Sequence, residues 1–112
     1  MVKFAIKVIL LKFYTKGTFK NGGPTGKHCK IYYSNERIQY FGEMSIGQRQ
    51  NLGKCYYDNG VMCIDGKFVN DKLEGEDITI YWSNGKLQYY GQMKDGKCEG
   101  RGKAYYLSGK LR

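Results

Sequence analysis

The chain has 112 residues, enough for one domain, with 16 glycines, 11 tyrosines, one proline and a formal net charge of +9. Leu, Ile, Val and Phe are sparse, so the tyrosines carry much of the apolar load, and a deep globular centre is excluded. No C-x-x-C pair joins Cys29, Cys55, Cys63 and Cys98, and His28 is the single histidine, which argues against a zinc centre and for four free thiols in a reducing compartment.

Residues 1–12 have no turn signal where later segments have one. Val8-Ile9-Leu10-Leu11 is a short apolar run between Lys7 and Lys12, far below the ~20 residues of a spanning helix. It has no small-residue cleavage site after it. This segment reads as an N-terminal cap, either strand or short helix.

From residue 13 onward a fixed period appears. The aromatic pairs Tyr32-Tyr33, Tyr56-Tyr57, Tyr81-Trp82 and Tyr105-Tyr106 recur every 24 or 25 residues, which marks a repeat architecture. Aligning the copies on Gly17, Gly42, Gly66 and Gly91 places Phe13, Ile38, Met62 and Leu87 four residues earlier. Thr15, Tyr40, Ile64 and Tyr89 fall two earlier, and Phe19, Met44, Phe68 and Met93 two later. Even offsets share one face of a strand, so all of these are expected to line one buried face. The aligned glycines sit in mid-strand on that face, with a neighbouring Tyr ring expected over them.

The second strand of each unit ends at the aromatic pair. Cys29, Ile31, Tyr33, Cys55, Tyr57, Ile78, Ile80, Trp82, Ala104 and Tyr106 continue the core by alternation. Tyr32, Tyr56, Tyr81 and Tyr105 then form an outward column beside Lys30, Lys54, Thr79 and Lys103, with Phe41 and Tyr90 as the aromatic exceptions on the polar face. Asn59-Gly60 and Asn84-Gly85 signal two-residue hairpins with positive φ at both positions; Ser108-Gly109 is compatible, and Asn35-Glu36 predicts a looser turn. The second turn of each unit is expected to be longer, over Gly22–Gly26, Gly47–Gly53, Asp71–Gly75 and Gly96–Gly102. The third copy carries a one-residue insertion, expected as a bulge or loop extension.

Tyr89, Gly91, Met93, Gly96, Gly100, Gly102, Tyr106 and Gly109 follow a spacing that resembles the MORN (membrane occupation and recognition nexus) repeat. Tyr40, Gly42, Met44, Gly47, Gly53, Tyr57 and Gly60 resemble a second copy. Ile64, Gly66, Phe68, Gly75, Trp82 and Gly85 make a looser third, and Gly17, Phe19, Gly22, Gly26 and Tyr33 a degenerate first. The Tyr-Tyr-x-Asn-Gly stretches are also similar to the variant repeat of YwqK-type proteins. The resemblance covers residues 13–112 and implies an all-β, open antiparallel meander of successive hairpins, about four in number with the last incomplete. It implies a docking or assembly surface and no chemistry of its own.

Function is expected to lie in surfaces. The tyrosine column Tyr32, Tyr56, Tyr81 and Tyr105, with Phe41 and Tyr90, is the candidate partner-binding set, since Tyr is enriched at interfaces. A non-catalytic scaffold or adaptor that docks another protein, or self-associates through open sheet ends, is the leading expectation. Residues 1–35 hold seven lysines and no acid. Lys3, Lys7, Lys12, Lys16, Lys20, Lys27 and Lys30 therefore make anionic-lipid (phosphoinositide) binding the alternative, although seven lysines are expected to split between two faces and two turns. No RNA or DNA motif accompanies the aromatic residues, so nucleic acid is not an expected partner. Asp65, Asp71, Glu74, Glu76 and Asp77 cluster near a turn without a nucleophile, a phosphate loop or metal spacing. They are expected to be solvated or to accept the basic end of another copy head to tail. No cofactor or metal and no enzyme activity is expected, and the chain reads as cytoplasmic, with membrane or cytoskeletal association consistent with the resemblance.

Overall fold

A computed structural model describes residues 2–8, 13–20 and 23–112, with side chains from Pro24 onward. Among these residues the chain forms strands β1 (Val2–Val8), β2 (Phe13–Lys20), β3 (Gly23–Tyr33), β4 (Ile38–Ser45) and β5 (Gln48–Tyr56). They are followed by β6 (Met62–Val69), β7 (Lys72–Leu73), β8 (Gly75–Tyr81), β9 (Leu87–Lys94) and β10 (Lys97–Ala104). Each pairs antiparallel with its neighbour in one open sheet, ordered β1-β2-β3-β4-β5-β6-β8-β9-β10, with β7 also on β6. The open meander is as expected, and the N-terminal segment is a strand over Val2–Val8; residues 9–12 lie outside the described residues.

Two turn types alternate, in the opposite places from those expected. After each aromatic pair the loop has three residues. The amide of Gly60 donates to the Tyr57 carbonyl (2.9 Å), and that of Tyr57 donates to the Val61 carbonyl (2.8 Å). Gly60 has φ 88°, while Asn59 is not left-handed. This is a type I turn closed by one left-handed residue. Trp82–Lys86 and Tyr106–Lys110 repeat it. So does Tyr33–Arg37, where the predicted looser turn is in fact the same loop, with Glu36 at φ 72° in the glycine's place.

The two-residue turns with both φ positive are instead Ile46-Gly47, Asn70-Asp71 and Asp95-Gly96, where longer loops were expected. The remaining glycines of those stretches belong to strands. They serve at irregularities where the pairing shifts, between Gly42 and Met44 on β4 against β5, and between Cys98 and Gly102 on β10. Asn51 (φ 55°) and Gly100 (φ 67°) occupy these bulges. The insertion in the third copy is the break at Glu74 between β7 and β8.

One face carries the core: Cys29, Tyr40, Met44, Cys55, Phe68, Leu73, Ile78, Tyr89 and Met93, with Ile31, Cys63, Ile64, Ile80 and Ala104 packed against it. Tyr40 and Phe68 are 2% and 1% exposed and meet edge to face at 5.8 Å between centroids. Close approach explains the mid-strand glycines. A Cβ on Gly53 would fall 2.2 Å from the Tyr40 hydroxyl oxygen, and one on Gly102 would meet Tyr89 in the same way. Over Gly66 the occupant is Ile78, and at Gly91 it is the backbone of Gly102. The expected Tyr ring is thus present over the cross-strand partners of Gly42 and Gly91, while Gly66 is covered by an isoleucine.

Units are tied at both sheet ends. The second aromatic of each unit donates to the first aromatic's carbonyl in the next: Tyr33 Oη to Tyr56 O (2.7 Å), Tyr57 Oη to Tyr81 O (2.6 Å), Trp82 Nε1 to Tyr105 O (3.2 Å). The turn asparagines do the same. Asn35, Asn59 and Asn84 donate Nδ2 to the carbonyls of Asp58, Ser83 and Leu107, while Oδ1 accepts the amide two residues on. At the other end the amides of Gly47, Asp71 and Gly96 donate to Pro24, Arg49 and Leu73 carbonyls.

A candidate partner-binding face

The alternation that builds the core is also broken where each first strand begins. Ile31 pairs with Tyr40, but Tyr32 pairs with Ile38, so Gln39 is an extra residue on β4. The same shift pairs Tyr56 with Met62 and Tyr81 with Leu87. Directly opposed residues of an antiparallel pair point to the same side, and a bulge reverses the phase of what precedes it. Ile38, Met62 and Leu87 therefore share a face with the tyrosine column and lie opposite the core, contrary to the expected common inner surface. They are half-buried and absent from the core cluster. Phe13 pairs with Tyr33; its side chain lies outside the described residues.

The second face is thus an alternating row. Tyr32, Ile38, Tyr56, Met62, Tyr81, Leu87 and Tyr105 follow one another across β3 to β10, all half-buried. Leu111 bridges to Tyr105 as the next step. One row inward lie Lys30, Phe41, Lys54, Asp65, Thr79, Tyr90 and Lys103, paired in that order. Lys30 Nζ sits 5.5 Å from the Phe41 ring centre, and His28 stacks on the same ring at 6.3 Å. Tyr90 is 46% exposed and donates its hydroxyl to Asp77 Oδ1 at 3.2 Å. That carboxylate also raises the proton affinity of the hydroxyl. The six predicted partner-binding residues therefore do share one face, joined by three aliphatic residues that the sequence reading placed in the core.

Of the seven lysines, Lys27 and Lys30 have described side chains. Lys3, Ala5 and Lys7 pair with Thr18, Lys16 and Tyr14, and Lys16 pairs with Lys30. On the backbone, Lys3 and Lys7 thus hold alternate positions of β1, and Lys16 and Lys20 positions of β2 in register with Lys30; the side chains of these four lie outside the described residues. Lys27 is exposed, and Lys12 lies outside the described residues.

The face is indented beside β9 by an open groove of about 880 Å3, lined by Asp77, Leu87, Tyr90, Gln92, Arg101 and Tyr105 among others. A smaller cavity of about 390 Å3 opens on the core face beside Gln39, Arg49, Cys55 and Cys63. Arg49 is fixed there. Its Nε is 2.6 Å from Asp71 Oδ1, Nη2 donates to the Asp71 carbonyl at 2.9 Å, and the guanidinium lies 4.5 Å from the Phe68 ring centre. Nη1 donates to Cys55 Sγ at 3.4 Å. Burial outweighs this contact and pushes the Cys55 thiol up, and burial with neighbouring Cys55 pushes Cys63 up to about 11. These thiols keep their protons at neutral pH, whereas a nucleophilic or metal-binding cysteine needs the reverse.

Of the clustered acids, Asp71 is held by Arg49 and Asp77 by Tyr90, while Asp65 and Glu76 are exposed. No group of three metal-ligating side chains occurs among the described residues, and among them no helix is long and apolar enough to cross a membrane. No protein-family model matches the chain, and no curated protein matches it.

Proposed function

We propose that the chain is a non-catalytic, MORN-like docking module whose second face is its contact surface for another polypeptide. The observation that carries this reading is the register shift before Tyr40, Ile64 and Tyr89. It sends Ile38, Met62 and Leu87 to the face opposite the core, beside the tyrosines. A one-layer sheet with a filled core on one face gains nothing in its own fold from a second apolar row beyond cross-strand contacts worth about 0.2–1 kcal/mol each. A partner laid on that row would cover it, and Tyr rings supply interface area at low entropy cost.

The test is site-specific photo-cross-linking in the source cell. A benzophenone side chain at Tyr56 or Met62 should give one discrete adduct, and one in the exposed turn at Ser83 should give none. Equal labelling from both places, or no adduct from the face, overturns the reading.

The backbone register of Lys3 and Lys7 on β1 and of Lys16, Lys20 and Lys30 on β2 and β3 favours a second reading, a peripheral binder of anionic lipid surfaces. It predicts flotation with phosphoinositide vesicles that collapses with salt, because exposed charges are screened beyond about 10 Å at 0.1 M. Flotation that persists after Lys3, Lys7, Lys12 and Lys16 are replaced by Ser ends that reading.

A further inference from the structure

The second face carries one local arrangement twice, 49 residues apart, and in the later copy two acids replace Lys27 and His28. Around Phe41 stand His28 and Lys30 on β3 and Lys54 on β5, with Lys27 adjacent in sequence to His28. Around Tyr90 stand Glu76 and Asp77 on β8, the positions that correspond to Lys27 and His28, with Thr79 and Lys103 at the positions that correspond to Lys30 and Lys54. Asp65 on β6 extends the acidic strip and pairs directly with Lys54. A ligand of one sign laid across Lys30 and Lys54 would run onto Asp65 on the next strand, only about 4.8 Å away.

A second copy of the chain meets both strips at once. Consider a two-fold axis parallel to the strands, lying between β5 and β6, with the second faces together. It keeps every residue in its row and reverses strand order. Lys54 of each copy then lies over Asp65 of the other, and Lys30 over the Tyr90–Asp77 pair. In the apolar row the same operation sets Tyr56 on Met62, Ile38 on Tyr81 and Tyr32 on Leu87. Because aromatic and aliphatic residues alternate from β3 to β9, Tyr32, Tyr56 and Tyr81 each meet an aliphatic side chain across the axis. Such self-matching of one patch is what a two-fold interface requires. The two larger dimensions of the fold are 46 and 27 Å, a bounding rectangle of roughly 1,200 Å2 that leaves room for the ~800 Å2 per partner typical of specific interfaces.

We infer that the second face is the interface of a face-to-face homodimer, paired through Lys30 and Lys54 against Asp77 and Asp65 around the Tyr56–Met62 centre. This rests on the reading of that face as a docking surface and names its occupant. Arg101 and Lys103 on β10 fall at the rim, opposite the lysine-bearing β2 of the other copy, so Lys103→Glu should tighten the pair.

Sedimentation equilibrium tests it with two double variants. Asp65→Lys with Asp77→Lys sets lysine against Lys54 and Lys30 of the other copy, and Lys30→Glu with Lys54→Glu sets glutamate against its Asp77 and Asp65. The native chain should be a dimer at micromolar concentration, and each variant alone should dissociate at least tenfold more readily. An equimolar mixture of the two should regain a 1:1 dimer, which also excludes misfolding as the cause of the single losses. A native chain that stays monomeric to about 0.5 mM, or a mixture that fails to associate while both variants melt like the native chain, overturns the inference. A monomeric native chain with a Tyr56 cross-link to a different polypeptide sinks the homodimer and leaves the docking face standing. No cross-link at all sinks both.

Discussion

Glu36 stands where three other loops have glycine. At φ 72° its Cβ crowds the backbone in a way that costs an L-residue about 1–2 kcal/mol, and nothing in the loop needs its carboxylate. Glu36→Gly should therefore raise stability by about 0.5–1 kcal/mol after the greater unfolded-state entropy of glycine is subtracted. A higher urea midpoint at unchanged m-value would show it. The converse holds in mid-strand. Gly53→Ala puts a methyl group 2.2 Å from the Tyr40 hydroxyl oxygen and 2.6 Å from its ring carbons, and should cost about 1–3 kcal/mol through overpacking. Tyr40→Leu in the same chain should recover part of that loss, because it removes the ring that clashes.

The buried thiols set the alkaline limit. Cys63 is pushed up to about 11 by burial, and burial likewise raises Cys29, Cys55 and Tyr40. A folded-state pKa above the unfolded value means that unfolding releases protons at high pH, so stability is full below about 9 and falls as pH rises toward 11. Denaturation midpoints between pH 8 and 11 should trace that decline, and Cys63→Ala should flatten it.

Among elements, the hairpin loop explains what the sequence could and could not show. The period of the aromatic pairs, the meander and the sides of Tyr40, Phe68, Tyr89 and Met93 were all legible, because two-residue alternation survives in the second half of each first strand. The phase of Ile38, Met62 and Leu87 was not. One extra residue between them and the next core position reverses their side, and Gln39, Cys63 and Gln88 carry no composition that marks a bulge. Asn-Gly misled for another reason. It matches a left-handed pair, yet here asparagine is used for its amide, which caps its own turn and reaches the next one. Asn59→Asp separates the two roles: the carboxylate can still accept the Val61 amide but cannot donate to the Ser83 carbonyl. It should cost about 1 kcal/mol, and Asn59→Ala, which loses both bonds, should cost more. Equal losses in chemical unfolding would assign the whole effect to the bond to the Ser83 carbonyl, which both variants lose.

For the whole molecule the true period is two hairpins. Tyr40, Met44, Gly47, Gly53 and Glu43 recur 49 residues on as Tyr89, Met93, Gly96, Gly102 and Gln92, while the intervening unit has Ile64, Phe68 and Ile78. The contacts between unlike units are specific: Tyr40 on Phe68, and Arg49 on Phe68 and Asp71. Stability of such an array is close to a sum of unit and nearest-neighbour terms, so the order of unit types should decide what an added unit contributes. Inserting a second copy of residues 40–88 after residue 88 preserves the alternation and creates one more Tyr–Phe–Arg–Asp junction, and should raise the thermal midpoint. Inserting residues 64–88 alone puts two Phe68-type units side by side, the second without a Tyr40 or Arg49 to meet it, and should raise the midpoint less or lower it. Calorimetry of the two chains decides between a 49-residue and a 24-residue building block, since equal gains would mean that the units are interchangeable.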